Sequence, residues 1–227
     1  MNLNIVRLGH MDYAEALAVQ ETLLKMRQAG RIGDTLLLVE HPPVLTVGRR
    51  GSDANIKVSR EWLASKGVSV YPVNRGGDVT YHGPGQIVGY LIMDLRDRGR
   101  DIRIFVADLK DVFIRLLHEE YGIEATGEDQ KYTGVFVGDS KITAIGIAVK
   151  RWVTMHGFAF NVNTELSHFD WIVPCGLADK GVTSLEKLLG GPQDFEGMNE
   201  TVAGYFCKVF GMNGQRTDLS ALLAGGE

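Results

Sequence analysis

Side chains predicted to face inward recur at helical spacing in three segments of the chain. One segment begins at Asp12, one follows Asp101, and one begins near Asn199. Asp12 and Glu15 have the spacing of a capping box, which marks a helix start. The three stripes are Tyr13, Leu17, Gln20 and Leu24; Phe105, Leu109, Val112, Phe113 and Leu116; and Val202, Phe206 and Phe210. The spacing therefore predicts three amphipathic helices.

Shorter apolar runs predict strands between these helices. They cover residues 35–41, 68–73 and 86–95, then 132–149 as two strands joined at Gly138-Asp139-Ser140, and then 151–162. This order predicts an α+β fold with a mixed, largely antiparallel sheet and packed helices. We expect a single domain over residues 1–227, with the tail after about residue 212 peripheral.

The composition is that of an ordinary globular protein. Of 227 residues, 44% are hydrophobic and 23% are charged, which argues against a disordered chain. The net charge of −4 argues against a nucleic-acid-binding surface or a basic membrane anchor. No apolar run approaches the ~20 residues of a membrane span, and the N-terminus lacks the pattern of a signal peptide. We therefore expect a cytoplasmic protein whose cysteines stay reduced.

The segment RGGDVTYHGPGQ, residues 75–86, concentrates glycine and polar residues. Glycines allow backbone N–H groups to approach a ligand closely, because no Cβ stands in the way. This glycine-rich segment lacks the GxxxxGK[ST] pattern of a P-loop and the GxGxxG pattern of a dinucleotide site. Two interpretations remain open: a hairpin around Gly83-Pro84-Gly85, or a ligand site.

Six histidines are scattered along the chain, and none stands at the HExxH spacing of a zinc site. His82 and His156 lie in the most distinctive segments. Each is either a hydrogen-bonded structural residue or an acid, base or ligand. We predict no metal and no cofactor.

Lys141 opens a strand, KITAIGIAVK, that is apolar on both faces. Strict alternation places it on the face of Thr143, Ile145 and Ile147. A lysine at the rim of an apolar pocket loses hydration, which lowers its pKa and makes it a proton acceptor. The alternative is that Lys141 lies just past a turn and points into water.

The two cysteines of the chain have different surroundings in the sequence. Cys175 lies between Pro174 and Gly176, in a loop that would expose its sulfur. With a base nearby it could form the nucleophilic thiolate, but the residues alone equally allow a small core residue. Cys207 lies in AGYFCKVF, where helix packing explains it.

Four segments together resemble the octanoyltransferases of lipoate biosynthesis, the octanoyl-[acyl carrier protein]:protein N-octanoyltransferase family. They are HPPVLTVGR at 41–49, RGGDVTYHGPGQ at 75–86, KITAIGIAVKRWVTMHGFAFNV at 141–162, and PCGL at 174–177. The resemblance implies a fold similar to the catalytic domain of biotin and lipoate protein ligases. The Lys-Ile that opens the third segment is commonly Lys-Val in the family.

The resemblance also implies an activity and its residues. Cys175 would be the nucleophile that carries the acyl group as a thioester, and Lys141 its base. The substrate site would be lined by Arg75, Gly76, Gly77, Asp78, Val79, Thr80, Tyr81 and His82, by Ala144, Ile145 and Gly146, and by Gly157, Phe158 and Ala159. Octanoyl-acyl carrier protein would be the donor. Lipoyl domains of 2-oxoacid dehydrogenases and the glycine cleavage H protein would be the acceptors.

Three alternatives share parts of this pattern. An ATP-dependent lipoate or biotin ligase would share the fold but does not need the cysteine. A non-catalytic acyl-binding module would keep the pocket, and a cysteine hydrolase would release free octanoate. For an acidic carrier, the candidate docking residues are Arg49, Arg50, Arg75, Lys150 and Arg151.

Overall fold

A computed structural model describes residues 1–127, 133–173 and 180–225. Within these residues the strands are β1 Asn2–His10, β2 Asp34–Glu40, β3 Val44–Val47, β4 Ser69–Pro72, β5 Val79–His82, β6 Gln86–Ile92, β7 Gly134–Val137, β8 Ser140–Lys150, β9 Val153–Asn161, β10 Gly181–Val182 and β11 Asn213–Arg216. The helices are α1 Tyr13–Gln28, α2 Arg60–Ser65, α3 Ile102–Tyr121, α4 Leu185–Leu189, α5 Phe195–Phe210 and α6 Leu219–Ala224.

The main sheet has the order β10-β8-β9-β6-β2-β1-β11, and β7 also pairs with β8. Its centre is antiparallel: each neighbouring pair in the series β2, β6, β9, β8 and β7 is antiparallel. Parallel pairs occur towards its ends, where β1 joins β2 and β11, and β10 joins β8. The predicted α+β fold with a mixed, largely antiparallel sheet is confirmed.

A second, three-stranded sheet has the order β4-β3-β5. The strands on either side of Gly83-Pro84-Gly85 belong to different sheets, because β5 pairs with β3 while β6 pairs with β2 and β9. The hairpin interpretation of this turn is therefore wrong. Gly85 has φ +77, and its N–H donates to Glu40 Oε1 at 2.6 Å, so a left-handed turn carries the chain from one sheet to the other.

Helices cover the two faces of the main sheet unequally. On one face, α3 and α5 bury an aromatic cluster in which the ring centroid of Phe113 lies 4.7 Å from that of Phe158 and 5.1 Å from that of Phe160. On the other face, α1 buries Leu23 and Leu24 against the sheet. The small sheet covers the rest of that second face, and its own core includes Leu45, Tyr81 and Phe169. An interior space on this face can therefore form between α1 and the small sheet.

Most predicted elements are present, with differences at their ends. The helix α1 begins where expected, but the Asp12 side chain makes no capping hydrogen bond. Asp101 does cap α3, accepting from the backbone N–H groups of Arg103 and Ile104. The helix α5 begins at Phe195, four residues before Asn199, because Asp194 caps it. Among the described residues no helix has the length and apolar character needed to cross a membrane.

The ends of the chain pack together at one edge of the main sheet. The register of β1 and β11 pairs Asn2 with Asn213 and Ile5 with Arg216. Leu222 of α6 is buried in the same core as Val6 of β1. The sequence pattern did not indicate β1 or β11, since neither has a clean alternation.

A buried network of charges joins α1 to the main sheet. Arg27 Nε donates to Asp34 Oδ1 at 2.8 Å, and its Nη1 lies 3.6 Å from Asp94 Oδ2. The carboxylates of Asp34 and Asp94 are almost fully buried. Hydrogen bonds from Arg96, aided by the charges of Arg27 and Arg96, hold the pKa of Asp94 below its ordinary value. Removing Arg27 would take this cation from the buried carboxylate of Asp34, whereas Asp94 would keep Arg96.

We predict that Arg27→Met lowers the free energy of unfolding by about 3 kcal/mol at pH 7. Arg103→Met is the matched control, because the Arg103 side chain is 96% exposed, and it should change stability by less than about 0.5 kcal/mol. Urea unfolding followed by circular dichroism measures both. The Arg27 effect should shrink below about pH 4, where carboxylates become protonated. Equal free energies of unfolding for the two variants would contradict a stabilising role for Arg27 in the buried network.

Candidate active site

The face of the main sheet under α1 and the small sheet carries two rows of facing residues across β8, β9 and β6. Strand pairing sets both rows. One row is Ala144, Ala159 and Val88, and the other is Gly146, Gly157 and Tyr90. To these rows β8 and β9 contribute only alanine and glycine, whereas β6 contributes valine and tyrosine. The surface of the sheet is therefore lower over β8 and β9 than over β6, and we call this surface the floor.

A slot of about 480 Å³, measured up to its open mouth, lies above this floor. Its walls come from Tyr13 of α1, from Arg75 and Gly77 of the glycine-rich segment, and from Thr80 and His82 of β5. The slot is mainly apolar, as an aliphatic ligand requires.

The glycine-rich segment closes the slot by docking on the edge of β8. Gly76 N–H donates to Ile147 O at 2.9 Å. A Cβ at Gly146 would lie 2.9 Å from Gly76 O and 3.2 Å from Arg75 Cδ. Glycine at position 146 is therefore what permits this close approach.

Arg75 is a buried cation at the wall of the slot and is 7% exposed. Its Nη2 donates to both the carbonyl and the hydroxyl of Thr46 at 2.8 Å, and its Nη1 donates to Gly76 O at 2.9 Å. These bonds fix the guanidinium in place. Because Arg75 is buried, it is not available for a surface docking patch, which corrects that part of the sequence-based expectation.

Three buried histidines near the slot are neutral at pH 7. Burial lowers the pKa of His41 and of His156 to about 4, and that of His82 to about 3. His41 Nδ1 donates to Met11 O at 2.6 Å and its Nε2 accepts from the Tyr90 hydroxyl at 2.7 Å. His156 bonds to Asn74 Oδ1 at 2.7 Å and has a left-handed backbone, with φ +58. The hydrogen-bonded structural interpretation fits His41. His82 and His156 also line the slot, and His156 Nδ1 is buried without a hydrogen-bond partner among the described residues.

A chain of amide hydrogen bonds sets the orientation of His82. Asn161 Nδ2 donates to Thr183 O at 3.0 Å, and Asn161 Oδ1 accepts from Gln86 Nε2 at 2.9 Å. Gln86 Oε1 is then left to accept from His82 Nδ1 at 2.8 Å. The His82 tautomer with hydrogen on Nδ1 follows from this order.

Lys141 lies on the slot face of the sheet, which strict alternation did not predict. The register of β7 against β8 shifts between Val135 and Phe136, so that Ile142 is an extra residue in β8. This β-bulge turns Lys141 to the same face as Ala144, whereas Ile142 packs in the core under α3. The expectation that Lys141 shares a face with Thr143 is therefore wrong.

The side chain of Lys141 is buried beside the slot. It is 6% exposed, so the alternative in which it points into water is wrong. It lines a cavity of about 320 Å³, including the solvent space at its mouth, which we call the lysine cavity. Thr80, Ala144 and Ala159 line both this cavity and the slot. Its Nζ lies 5.2 Å from the centre of the Phe136 ring. A titratable amine thus adjoins an apolar space.

Cys175 lies in residues 174–179, outside the described residues. The described chain on either side is tied to the site. Val173 N–H donates to Asn55 O at 2.7 Å, and Val182 pairs with Lys141 in the register of β10 and β8. Cys207, as expected, packs half-buried in α5, where burial raises the pKa of its thiol.

The remaining residues expected at the site do not all line the slot, and two that line it, Ile145 and Phe158, also belong to the core under α3 and α5. The slot is lined by Arg75, Gly77, Thr80, His82, Ala144, Ile145, Gly146, Gly157, Phe158 and Ala159. In β5, Val79 and Tyr81 alternate away from the slot into the core of the small sheet. Gly76 docks through its backbone, and Asp78 accepts from Asn55 Nδ2 at 2.5 Å.

Sequence reasoning missed several residues of the slot wall. Tyr13, Val88, Tyr90 and Thr133 also line it, and His156 had been considered only as a separate residue. No local signal marks Tyr13 or Tyr90, because both look like core positions. Within the described part of the chain, no three His, Cys, Asp or Glu residues are grouped so as to hold a metal ion.

Comparison with solved structures defines the fold class. A crystal structure of lipoate-protein ligase A bound with ATP superposes with a TM-score of 0.78, covering 99% of this chain and 93% of that chain at 13% identity. Biotin protein ligase from Aquifex aeolicus superposes with a TM-score of 0.52, covering 93% of this chain and 70% of that chain at 12% identity. The fold is that of the lipoate and biotin protein ligases.

Sequence comparison narrows the class to a family. Residues 12–207 match the lipoyl protein ligase A/B catalytic domain. The octanoyltransferase of Caldicellulosiruptor bescii is 61% identical over 93% of this chain and 92% of its own length, and that of Desulforamulus reducens is 55% identical over 92% of both. The chain therefore belongs to the octanoyltransferases of the lipoyl protein ligase A/B family. It is an acyltransferase, as the resemblance predicted.

The buried histidines make the protein sensitive to mild acid. A histidine whose folded pKa is lowered stabilises the fold above its unfolded pKa of ~6.5, and that contribution is lost as the pH falls through the folded value. We predict that the free energy of unfolding falls between pH 6.5 and pH 4, with His41 contributing about 1 kcal/mol per pH unit. In His41→Gln this slope should decrease. In the control His118→Gln, at an exposed position, the slope should stay as in the wild type. An unchanged slope in His41→Gln would contradict the prediction.

Gly146→Ala should displace the glycine-rich segment without unfolding the protein. The added methyl would press on the backbone oxygen of Gly76 and on Arg75, so the wall of the slot must move by a few tenths of an ångström. We expect kcat/KM for acyl transfer to fall about 10- to 100-fold. Gly204→Ala in α5 is the control, because a Cβ there meets no atom within 4 Å. Wild-type activity in Gly146→Ala would show that the segment tolerates the shift.

Proposed function

We propose that residues 1–227 act as one catalytic domain that transfers the octanoyl group from octanoyl-acyl carrier protein to a lysine side chain of lipoyl domains. The acyl group is carried as a thioester on Cys175, and Lys141 moves the protons. This is the first step of endogenous lipoate biosynthesis. The acceptors are the lipoyl domains of 2-oxoacid dehydrogenases and the glycine cleavage H protein, and the reaction takes place in the cytoplasm.

The observation that carries the proposal is the buried amine beside the apolar slot. A lysine costs free energy when it is buried in its charged form, so a buried lysine facing a ligand space usually has a chemical role. The bulge at Ile142 turns this lysine towards the slot at the expense of regular strand pairing. The slot floor of alanine and glycine supports an aliphatic chain as the ligand.

In the first half-reaction, the neutral amine of Lys141 accepts the proton of the Cys175 thiol. The thiolate attacks the carbonyl carbon of the donor thioester, and the carrier leaves as a thiol after taking a proton from the Lys141 ammonium. Backbone N–H groups near Cys175 and in the glycine-rich segment stabilise the oxyanion. One thioester replaces another, so the step requires no ATP.

In the second half-reaction, the acceptor lysine attacks the acyl thioester. Because a free lysine with a pKa of ~10.4 is almost fully protonated at pH 7, the acceptor amine must first lose a proton, and Lys141 takes it. As the amide forms, the attacking nitrogen gives up a second proton, which protonates the departing Cys175 thiolate. Lys141 then releases to solvent the proton that it took first, and the starting state is restored. Conversion of a thioester to an amide is downhill, which makes the cycle irreversible in practice.

The chain around Cys175 supports a meeting of the two groups. Val182, seven residues after Cys175, pairs with Lys141. At about 3.3 Å per residue, that length of chain permits the sulfur to reach the amine. The slot and the lysine cavity share three lining residues, so an acyl chain in the slot has its end next to Lys141.

Incubation of the protein with octanoyl-acyl carrier protein, without ATP, tests the proposal. We expect mass spectrometry to find one octanoyl group on Cys175, and addition of a lipoyl domain to move it to the acceptor lysine. Cys175→Ser should still bind the donor but lose turnover at least 1000-fold. An ATP-dependent ligase would require ATP and free octanoate. A binding module would show no adduct, and a hydrolase would release octanoate without an acceptor.

Lys141→Met should slow both half-reactions about 100- to 10,000-fold, because general-base assistance is lost. Rapid-quench measurements of acyl-enzyme formation and of its decay measure the two steps separately. Lys187→Met, at an exposed position in α4, is the matched control and should react like the wild type. Undiminished transfer by Lys141→Met would remove this lysine from the mechanism.

A further inference from the structure

The ring of Phe136 has the side-chain nitrogen of each of two lysines close to it. Lys141 Nζ lies 5.2 Å from the ring centre, and Lys180 Nζ lies 4.8 Å from it. The ring itself is 1% exposed. Lys180 directly precedes β10, which pairs with β8 at Lys141. Two lysine side-chain nitrogens therefore contact one buried aromatic ring beside the lysine cavity.

We propose that Lys180 is a positioning residue whose positive charge keeps Lys141 in its neutral, proton-accepting form. This inference rests on the proposed function for the role of Lys141 in acyl transfer. The electrostatic coupling itself rests on the two distances to the Phe136 ring.

The described surroundings of Lys141 hold few other charges. The elements packed against the lysine cavity contribute uncharged side chains: Thr80 from β5, Gln86 from β6, Asn161 from β9, Phe169, and Val182 from β10. From β7 come Phe136 and Gly134. Asp139, in the turn between β7 and β8, lies 4.0 Å from Lys180 Nζ and is 91% exposed. Asp139 therefore screens part of the charge of Lys180.

Coulomb's law gives the size of the effect. The two ammonium groups are no more than about 10 Å apart, because both lie close to one ring centre. At an effective dielectric constant of ~20, such a pair lowers the pKa of each amine by about one unit. The attraction of the Phe136 ring for a cation works in the opposite direction. Since the ring is present in every variant below, their comparison isolates Lys180.

The coupling would matter at the step in which a thiol or an acceptor ammonium gives up its proton. A lower pKa of the Lys141 ammonium increases the fraction of enzyme in which Lys141 Nζ has a free lone pair at pH 7. The proton then moves from Cys175 or from the acceptor lysine to Lys141, and later leaves with the product thiol. Lys180 keeps its own proton throughout, so it acts through Lys141 and touches no reacting atom.

The direct test is NMR titration of the full chain with isotope-labelled lysine in a Cys175→Ser background. That background removes the thiol whose titration would otherwise mix with that of the amine. Lys141→Arg identifies the Lys141 signal. We expect Lys180→Met to raise the pKa of Lys141 by about one unit at low salt, and by less at 0.5 M salt. Lys180→Arg should leave the pKa nearly unchanged, and Asp139→Asn should lower it.

The opposite shift in Asp139→Asn distinguishes charge from a change of shape. A Lys141 pKa that stays within about 0.2 units of the parent value in Lys180→Met overturns the inference. So does an equal rise in Lys180→Met and Lys180→Arg, which would indicate a loss of packing. Lys187→Met, at an exposed position in α4, is the remote control and should have no effect.

Kinetics in the Cys175 enzyme separates this inference from the proposed function. If Lys141 is the base, the rate of acyl-enzyme formation rises with pH, and Lys180→Met moves the midpoint upwards while the plateau stays the same. A shifted titration with an unshifted rate profile supports the coupling but rejects Lys141 as the base. An unshifted titration rejects the coupling, whether or not Lys141→Met is inactive.

Discussion

The structure depends on the antiparallel register of β8 and β9. This register sets Ala144 against Ala159 and Gly146 against Gly157, so small residues meet on one face and Ile145 and Phe158 meet on the other. The first face becomes the floor of the slot, and the second face becomes the core under α3 and α5. A slip of one residue would exchange the two faces, filling the slot and emptying the core. Packing and ligand space are therefore fixed by the same set of hydrogen bonds.

The site separates charge from apolar space. His41, His82 and His156 are held neutral by burial, and the hydroxyl of Tyr13, whose pKa burial raises to about 12, is neutral as well. Arg75 supplies a fixed positive charge at the wall, bonded to Thr46 and Gly76. The lysine cavity lies at the other end of the same floor. An aliphatic chain bound in the slot would therefore meet little polar surface between Arg75 and the Lys141 amine.

The sequence predicted the helices around Phe113 and Phe206 and most central strands, because their apolar spacing is regular. It also pointed to most residues of the slot, through the glycine-rich segment and the resemblance of residues 141–162. It could not place β5 and β6 in different sheets, since the choice depends on long-range pairing. Alternation likewise failed at Lys141, because a bulge depends on the partner strand β7. Nothing in the sequence distinguishes Tyr13 and Tyr90, which line the slot, from ordinary core residues.

The extra residue Ile142 interrupts the alternation of side chains in β8, so the alternation before it is out of step with the alternation after it. Residues 143–150 follow the alternation that the α3 and α5 core requires, while Lys141 follows the alternation of the lysine cavity. A strand of the same length and composition that paired with β7 without this bulge would place Lys141 on the face of Thr143, in the helix-covered core. Removal of the extra residue would instead leave Lys141 opposite Phe136, on the face of the lysine cavity. The pairing of β8 with β7, and not the composition of β8, therefore decides which way this lysine faces.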